Sequence, residues 1–407
     1  MNYRVGVMAL AIWSCLSVSA HTSASENNND EAFSACVKDL SERARAENIS
    51  QNVIDEVLSQ VQYVPRVIEL DRRQPEFTQT FHDYFGLRIN EQRIQTGREL
   101  LLQHQSLLQK LTREYGIPPQ YLVAFWGMET NFGSYLGKMK VLDSLATLAC
   151  DTRRGEYFTI ELMQALRLVE KGVANHASMV GSWAGAMGNM QFMPSAYIQY
   201  GVDGDGDGVA NLWKSIPDAL TSAAYFLQQL GWQRELRWGR EVLLPDGFDY
   251  AQTGRVNARP LREWASLGVK DVFKNPLPPL DLTASVLLPS GHKGPAFIVY
   301  DNFNVIMKWN RSEFYALSVG VLADQIKGVR GLRVEPPKTD PLSKAMVTEI
   351  QQALLDFGAD VGVIDGVFGS KTTAGLQEFQ RQRGLVADGF PDAITINSLL
   401  VKTQTQQ

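Results

Sequence analysis

Apolar residues recur at helical spacing along much of the chain. Phe33, Val37, Leu40 and Ala44 step by four, three and four, and Val53, Val57 and Val61 step by four, so each segment carries one apolar face and predicts a helix. Residues 93–115 form a longer, polar-faced helical stretch. Gly116-Ile117-Pro118-Pro119 ends it and starts the next helix. The helical texture persists to about Leu230. After Trp232, Pro and Gly become frequent and short β-rich runs appear at 241–244, 284–288 and 296–300, which predicts a small strand-bearing lobe. Residues 314–326 return to helical spacing. Three prolines at 336, 337 and 341 mark residues 336–341 as a linker. Residues 342–402 then form a further unit with an internal echo: Asp365-Gly366 and Asp388-Gly389 each precede a Thr by seven residues and lead into a helix-like run, a turn followed by a cap. The polar segments 26–30 and 403–407 read as an unstructured lead-in and a frayed tail.

The N-terminus has a different pattern. Arg4 precedes an apolar run, residues 5–13, and Val18-Ser19-Ala20 supplies small residues, so residues 1–20 read as a secretory signal peptide. Ile12-Trp13-Ser14-Cys15 partly matches a lipoprotein box, with Trp13 where that box takes a small residue. Cleavage after Ala20 and a periplasmic location in a Gram-negative type envelope are preferred over an outer-membrane lipoprotein anchored at Cys15. No later stretch of about 18 apolar residues follows, so the mature chain is expected to be soluble. Cleavage leaves Cys36 and Cys150. An oxidising compartment permits a disulfide between them, the alternative being two unrelated thiols.

At 407 residues the chain is long enough for two or three domains of about 100–200 residues each. Its 44% hydrophobic and 20% charged residues describe an ordinary globular protein. Lys and Arg number 39 against 44 Asp and Glu, a formal charge of −5, so there is no basic field to attract nucleic acid.

Three segments carry candidate chemistry. Leu122, Phe125 or Trp126, and Glu129 share one helical stripe, and Thr130-Asn131-Phe132-Gly133 ends the helix directly afterwards. Glu129 thus belongs near a helix C-terminus at the edge of a core, where desolvation and the helix dipole both favour its protonated form. Such an acid suits protonation of a glycosidic oxygen; a surface or arginine-paired Glu is the alternative. The stretch from Gly181 to Ser195 combines small residues with Ser182, Asn189 and Gln191, short polar groups suited to sugar hydroxyls and acetamido groups. A tight structural turn is the competing interpretation. Asp203-Gly204-Asp205-Gly206-Asp207-Gly208-Val209 resembles the start of an EF-hand loop, with the Val209 carbonyl available and Lys214 at the twelfth position in place of the bidentate Glu. Asp218 supplies the missing oxygen in this interpretation. A structural Ca²⁺ is expected, against Mg²⁺, Na⁺ or a plain acidic turn.

Together these segments carry a resemblance. Trp126-Gly127-Met128-Glu129-Thr130-Asn131-Phe132-Gly133, the stretch 181–194, the acidic loop through Asn211-Leu212-Trp213, and Leu70-Asp71-Arg72-Arg73-Gln74-Pro75-Glu76-Phe77 resemble, in order, the membrane-bound lytic murein transglycosylase B family. Gln351-Gln352-Ala353-Leu354, Ile364-Asp365-Gly366-Val367-Phe368-Gly369 and Leu376-Gln377-Glu378-Phe379-Gln380 resemble a small peptidoglycan-binding module, with Pro391-Asp392 where that module usually has Gly. The resemblance implies a mainly α fold of α+β type. It comprises a lysozyme-like catalytic core with an extra helical lobe and a small strand-bearing lobe, spanning 31–335, and a three-helix module at 342–402. It implies Glu129 as the single acid/base, with Ser182, Gln191, Tyr225 and Asn310 lining the substrate cleft and Asp203, Asp205, Asp207, Val209 and Asp218 at the metal loop. Tyr225 as a core aromatic and Asn310 as a helix cap remain alternatives. No cofactor is required for the chemistry, the partner is the peptidoglycan glycan strand, and the protein is expected to act as a monomer. The implied reaction cleaves the bond between N-acetylmuramic acid and N-acetylglucosamine with closure to a 1,6-anhydromuramyl end. A muramidase using water and a non-catalytic wall-binding protein are the alternatives.

Overall fold

Three hydrophobic clusters organise the chain, and helices supply most of the first. The computed structural model describes residues 20–73 and 79–403; residues 1–19 of the signal peptide, Cys15 among them, and Gln74–Phe77 of the fourth motif lie outside them, as do residues 404–407 of the tail. The first helix runs Ala20–Ala46, so residues 26–30, expected as an unstructured lead-in, are helical. The 93–115 stretch is two helices, Glu91–Gln103 and Gln105–Tyr115, broken at His104, whose ψ of 17° departs from helix. Gly116 caps the second at φ 80°. Helix Pro119–Thr130 then runs through the core, with residues from Tyr121 to Gly127 all buried.

Two covalent or ionic ties hold the N-terminal helices to this core. Cys36 in the first helix is bonded to Cys150, which caps helix Val141–Ala149, with Cα atoms 5.9 Å apart. Asp71, at 2% exposure, lies 2.7 Å from Arg153 Nη1 and also pairs with Arg154. Burial there works to raise the Asp71 pKa, but the hydrogen bonds and charges of Arg154 and Arg153 outweigh it and hold the carboxyl below its usual range.

The strand-bearing lobe is an antiparallel five-stranded sheet in the order Arg259–Pro260, Thr283–Leu287, Ala296–Val299, Gly239–Leu243, Lys270–Asp271. The three longer strands fall within two residues of the β-rich runs in the sequence. Strand Ala296–Val299 is buried on both faces: Phe297 and Val299 join the helical core, while Ala296 and Ile298 join the lobe's own cluster with Val242 and Val286. An uninterrupted apolar run is what a doubly covered strand requires. At the junction, helix Glu313–Ile326 brings Gly320 against Trp238, where a Cβ would fall 2.2 Å from the indole. The indole Nε1 donates to Asp324 at 3.1 Å.

The third cluster belongs to helices Lys344–Asp356, Ser370–Gln382 and Ala393–Thr403. The sequence echo is physical. Buried Gln351 donates to Asp365 Oδ1, the Val367 carbonyl and Thr372, and accepts from Gly366 N. Buried Gln380 donates to Asp388 Oδ1, the Phe390 carbonyl and Thr395, and accepts from Gly389 N. Helix Ser370–Gln382 contributes to both clamps.

This module sits against the strand-bearing lobe. Asp388 Oδ2 accepts from His292 N at 2.9 Å and lies 2.7 Å from His292 Nδ1, and Gln377 donates to Thr253 Oγ1 at 3.1 Å. His82 Nδ1 lies 2.8 Å from the Pro336 carbonyl, which fastens the linker. Between module and lobe opens a cavity of about 740 Å³, lined in part by Arg255, Ser290, Arg311, Glu313 and Phe368. Among the described residues no helix is long and apolar enough to cross a membrane.

Candidate active site

Glu129 occupies the last turn of helix Pro119–Thr130, and the backbone beyond it is unusual. Asn131, Phe132 and Gly133 all have positive φ, at 49°, 59° and 79°, which takes the chain away from the helix axis at once. Thr130 holds this exit: its hydroxyl accepts from Gly133 N at 2.9 Å and donates to the Asn189 carbonyl at 2.8 Å. Only glycine fits at 133, because a Cβ would lie 2.5 Å from Asn189 Oδ1.

Asn189 itself is not available to a ligand. It is 2% exposed; Oδ1 accepts from Trp126 Nε1 at 3.0 Å, and Nδ2 donates to the Leu212 and Trp213 carbonyls. The expectation that it meets sugar groups is therefore corrected: Asn189 ties the Glu129 helix, the glycine-rich loop and the end of the acidic loop together, a use that a loop full of small polar residues does not reveal.

The Glu129 carboxylate is half-buried and receives two neutral donors on one oxygen. Trp309 Nε1 donates to Oε1 at 2.8 Å, and the Tyr315 hydroxyl makes a short bond to the same atom. Trp309 is fixed edge-on and tilted among Phe125, Phe192 and Phe226, with ring centroids 4.7, 5.4 and 5.1 Å away. Burial among these rings pushes the carboxyl up to about 7, against the opposing pull of Tyr315 and Trp309. The rise matches the expectation from sequence. The sequence does not point to Trp309 and Tyr315 as its partners, because they lie 180 and 186 residues further along the chain and no local pattern links them.

The other candidate residues are placed as follows. Gln191, Tyr225 and Asn310 each adjoin one ring of this aromatic group in sequence: Phe192, Phe226 and Trp309. Gln191 has φ 48°, and its Nε2 donates to the Gly188 and Leu136 carbonyls, which leaves Oε1 out of these bonds. Ser182 Oγ accepts from Ala186 N at 3.0 Å and closes the neck of the glycine-rich loop. Tyr225 is half-buried on helix Ile216–Gln229, its ring 6.1 Å from Tyr115 and 6.0 Å from Tyr200. Asn310 is exposed between helices Asp301–Trp309 and Glu313–Ile326. The cap of the second helix is Ser312, whose Oγ accepts from Tyr315 N, while Asn310 Oδ1 accepts from Ser312 N at 3.0 Å.

The acidic loop gathers three carboxylates. Asp203, Asp205 and Asp218 bring oxygens within 4.8 Å of one another. Asp218 is fully buried, and its carboxylate accepts from Gly204, Asp205 and Asn211 N, so it organises the loop from helix Ile216–Gln229 as Lys214 could not. Ser215 donates to Asp205 Oδ2 at 2.6 Å and accepts from Asp218 N, which fastens the spacer between them. Asp207 and Val209 are exposed; Asp207 Oδ1 accepts from Val209 N at 2.9 Å, and Asp207 is outside the gathered three.

One desolvated carboxyl on a buried helix, capped by left-handed backbone and bonded to residues of an aromatic group, defines a lysozyme-like glycan-cleaving enzyme. The comparisons agree. The Transglycosylase SLT domain model matches residues 32–324, and a peptidoglycan binding domain model matches 343–399. The chain belongs to the SLT transglycosylase family, and it is a peptidoglycan lytic transglycosylase. It is 31% identical over 288 residues to membrane-bound lytic murein transglycosylase B of Escherichia coli, covering 67% of this chain and 77% of that one. SltB3 from Pseudomonas aeruginosa, solved in complex with NAG-anhNAM-pentapeptide, superposes with a TM-score of 0.86 at 40% identity over 90% of this chain and 99% of that one. The Escherichia coli lytic transglycosylase Slt35 in complex with calcium gives a TM-score of 0.62 at 30% identity, over 72% and 92%.

Proposed function

We propose that the protein cleaves the β-1,4 bond between N-acetylmuramic acid and N-acetylglucosamine with Glu129 as its single acid/base, leaving 1,6-anhydromuramyl ends. The observation that carries this reading is the environment of Glu129: a carboxyl raised to about 7 whose two bonded partners, Trp309 and Tyr315, are neutral donors rather than a second carboxylate. Glycosidases that use water directly or form a glycosyl ester rely on a paired carboxylate. A lone acid favours intramolecular attack: the glycosidic oxygen takes the Glu129 proton as its bond to C1 breaks, and the muramyl 6-hydroxyl then closes on C1 and returns a proton. The solved Pseudomonas aeruginosa relative with NAG-anhNAM-pentapeptide bound supports the same product chemistry.

Ser182, Gln191, Tyr225 and Asn310 are the groups proposed to meet the sugars. Gln191 offers Oε1, and Asn310 an exposed amide beside Trp309. A Ca²⁺ ion is proposed at the acidic loop, held by Asp203, Asp205, Asp218, Asp207 and the Val209 carbonyl. Hard oxygen donors and three gathered carboxylates suit that ion, and the calcium complex of Slt35 supports the assignment. Bound there, the ion would order the loop by drawing its carboxylates together. We place the protein in the periplasm acting on glycan strands, a reading supported by the envelope relative and the peptidoglycan binding domain match, and propose that it acts as a monomer.

Mass spectrometry of muropeptides released from purified sacculi tests this directly. Products about one water lighter than hydrolytic ends, and resistant to borohydride reduction, are expected; hydrolytic ends would overturn the reading. Glu129→Gln should remove most activity, since general acid catalysis contributes roughly 10²–10⁴-fold.

A further inference from the structure

Both donors that reach Glu129 reach the same oxygen. An indole N–H can only donate, so Oε1 must offer Trp309 a lone pair whatever the protonation state of the carboxyl. The Tyr315 phenol is held protonated well above its usual range by burial and by the adjacent Glu129, so it too has a proton to give. An oxygen that accepts two donors has no free direction for its own hydrogen. We propose that Trp309 and Tyr315 are positioning residues that reserve Oε1 of Glu129 as an acceptor and place the transferable proton on Oε2.

The local structure supports a fixed pair. Trp309 ends one helix and Tyr315 lies in the first turn of the next. The bond from Ser312 N to Asn310 Oδ1 and the capping of Tyr315 N by Ser312 Oγ set the distance between them. Phe125, Phe192 and Phe226 hold the indole on three sides. Oε2 then performs both transfers. It gives its proton to the leaving oxygen as the C1–O bond breaks, and it takes the 6-hydroxyl proton as that oxygen bonds to C1. Meanwhile Oε1 and its two donors carry the transient negative charge. Glu129 ends as it began, and no co-reactant enters.

This assignment rests on Glu129 being the acid/base, so its test uses a readout that does not need turnover. Tyr315→Phe removes only the hydroxyl. Incorporating 3-(3-benzothienyl)alanine at position 309 keeps the bicyclic shape and replaces the N–H with sulfur. The protonation midpoint of Glu129 is read by infrared difference spectroscopy against Glu129→Gln, and the pH profile of kcat/KM is recorded beside it. Each change withdraws a donor from the carboxylate and should move the midpoint, and the basic limb of the profile, upward by about one pH unit. If Tyr315→Phe moves the midpoint down, the phenol is accepting a proton from Oε1 and the assignment is wrong; an unmoved midpoint in both variants also overturns it. Failure of the acid/base reading has a separate signature: full activity in Glu129→Gln, whatever the infrared midpoints.

Discussion

His292 and Asp388 join the strand-bearing lobe to the C-terminal module through two contacts on one carboxylate oxygen, the backbone N–H at 2.9 Å and Nδ1 at 2.7 Å. The pair gives the module a defined seat. Asp388→Asn removes the carboxylate charge and puts a weaker, neutral amide acceptor at a site only 5% exposed, so the module should detach more often. Limited proteolysis at the linker, residues 336–341, is expected to accelerate several-fold, with an unchanged rate on short soluble glycan fragments. An unaltered cleavage rate would show that Gln377 and the linker suffice to hold the module.

Glu129 also leaves a mark on stability. Its folded pKa of about 7 lies above the usual carboxyl value of 4.5, so the folded state binds a proton more tightly than the unfolded chain does. The advantage is complete below about pH 4.5 and is lost as pH rises through 7, after which the buried charge is a cost of at most about 3 kcal/mol. Glu129→Gln should therefore melt higher than the parent at pH 8, and the gain should shrink toward pH 4.5. A gain that is the same at both pH values would mean that Glu129 is not desolvated.

The disulfide closes a loop of 114 residues between the first helix and the cap of Val141–Ala149. In the chain-entropy picture a loop of that length stabilises by about 4–5 kcal/mol. Cys36→Ser with Cys150→Ser should lower the melting temperature by several degrees while leaving the Glu129 site active at low temperature. Equal melting of oxidised and doubly substituted protein would contradict this.

The acidic loop offers a metal test. Asp205 is exposed and bonded chiefly to Ser215, so Asp205→Asn should disturb the free protein little. Added Ca²⁺ should raise the melting temperature of the parent, in proportion to the logarithm of its concentration above Kd, and raise that of Asp205→Asn much less. Differential scanning calorimetry with and without chelator decides it, and the calcium proposal fails if neither protein responds.

Much of this was legible in the chain because local physics wrote it there. The stripe Leu122–Trp126–Glu129 placed the carboxyl at a core edge near a helix end, and the direction of its pKa followed without any partner being known. The continuous apolar run at 296–299 announced a strand, though not that Phe297 would serve one core and Ile298 another. What stayed hidden was carried by distance. The partners of Glu129 come from beyond residue 300, and Asn189, polar and in a glycine-rich loop, turns inward because its amide meets Trp126 of the Glu129 helix and the Leu212 and Trp213 carbonyls. Residues 26–30 are helical against their polar composition for a related reason: the first helix runs on N-terminally from the apolar face that begins at Phe33.

The doubled glutamine clamp has a consequence for the module as a whole. Some 60 residues bury too little apolar surface to be secure on that basis alone, and small domains commonly add disulfides or metals. Here Gln351 and Gln380 act as rivets made of hydrogen bonds, and the helix Ser370–Gln382 is riveted at both ends. The two halves overlap through that shared helix, so the unit has no seam along which it could open by parts. It should melt as a single piece, and the loss of either glutamine would be felt in both turns.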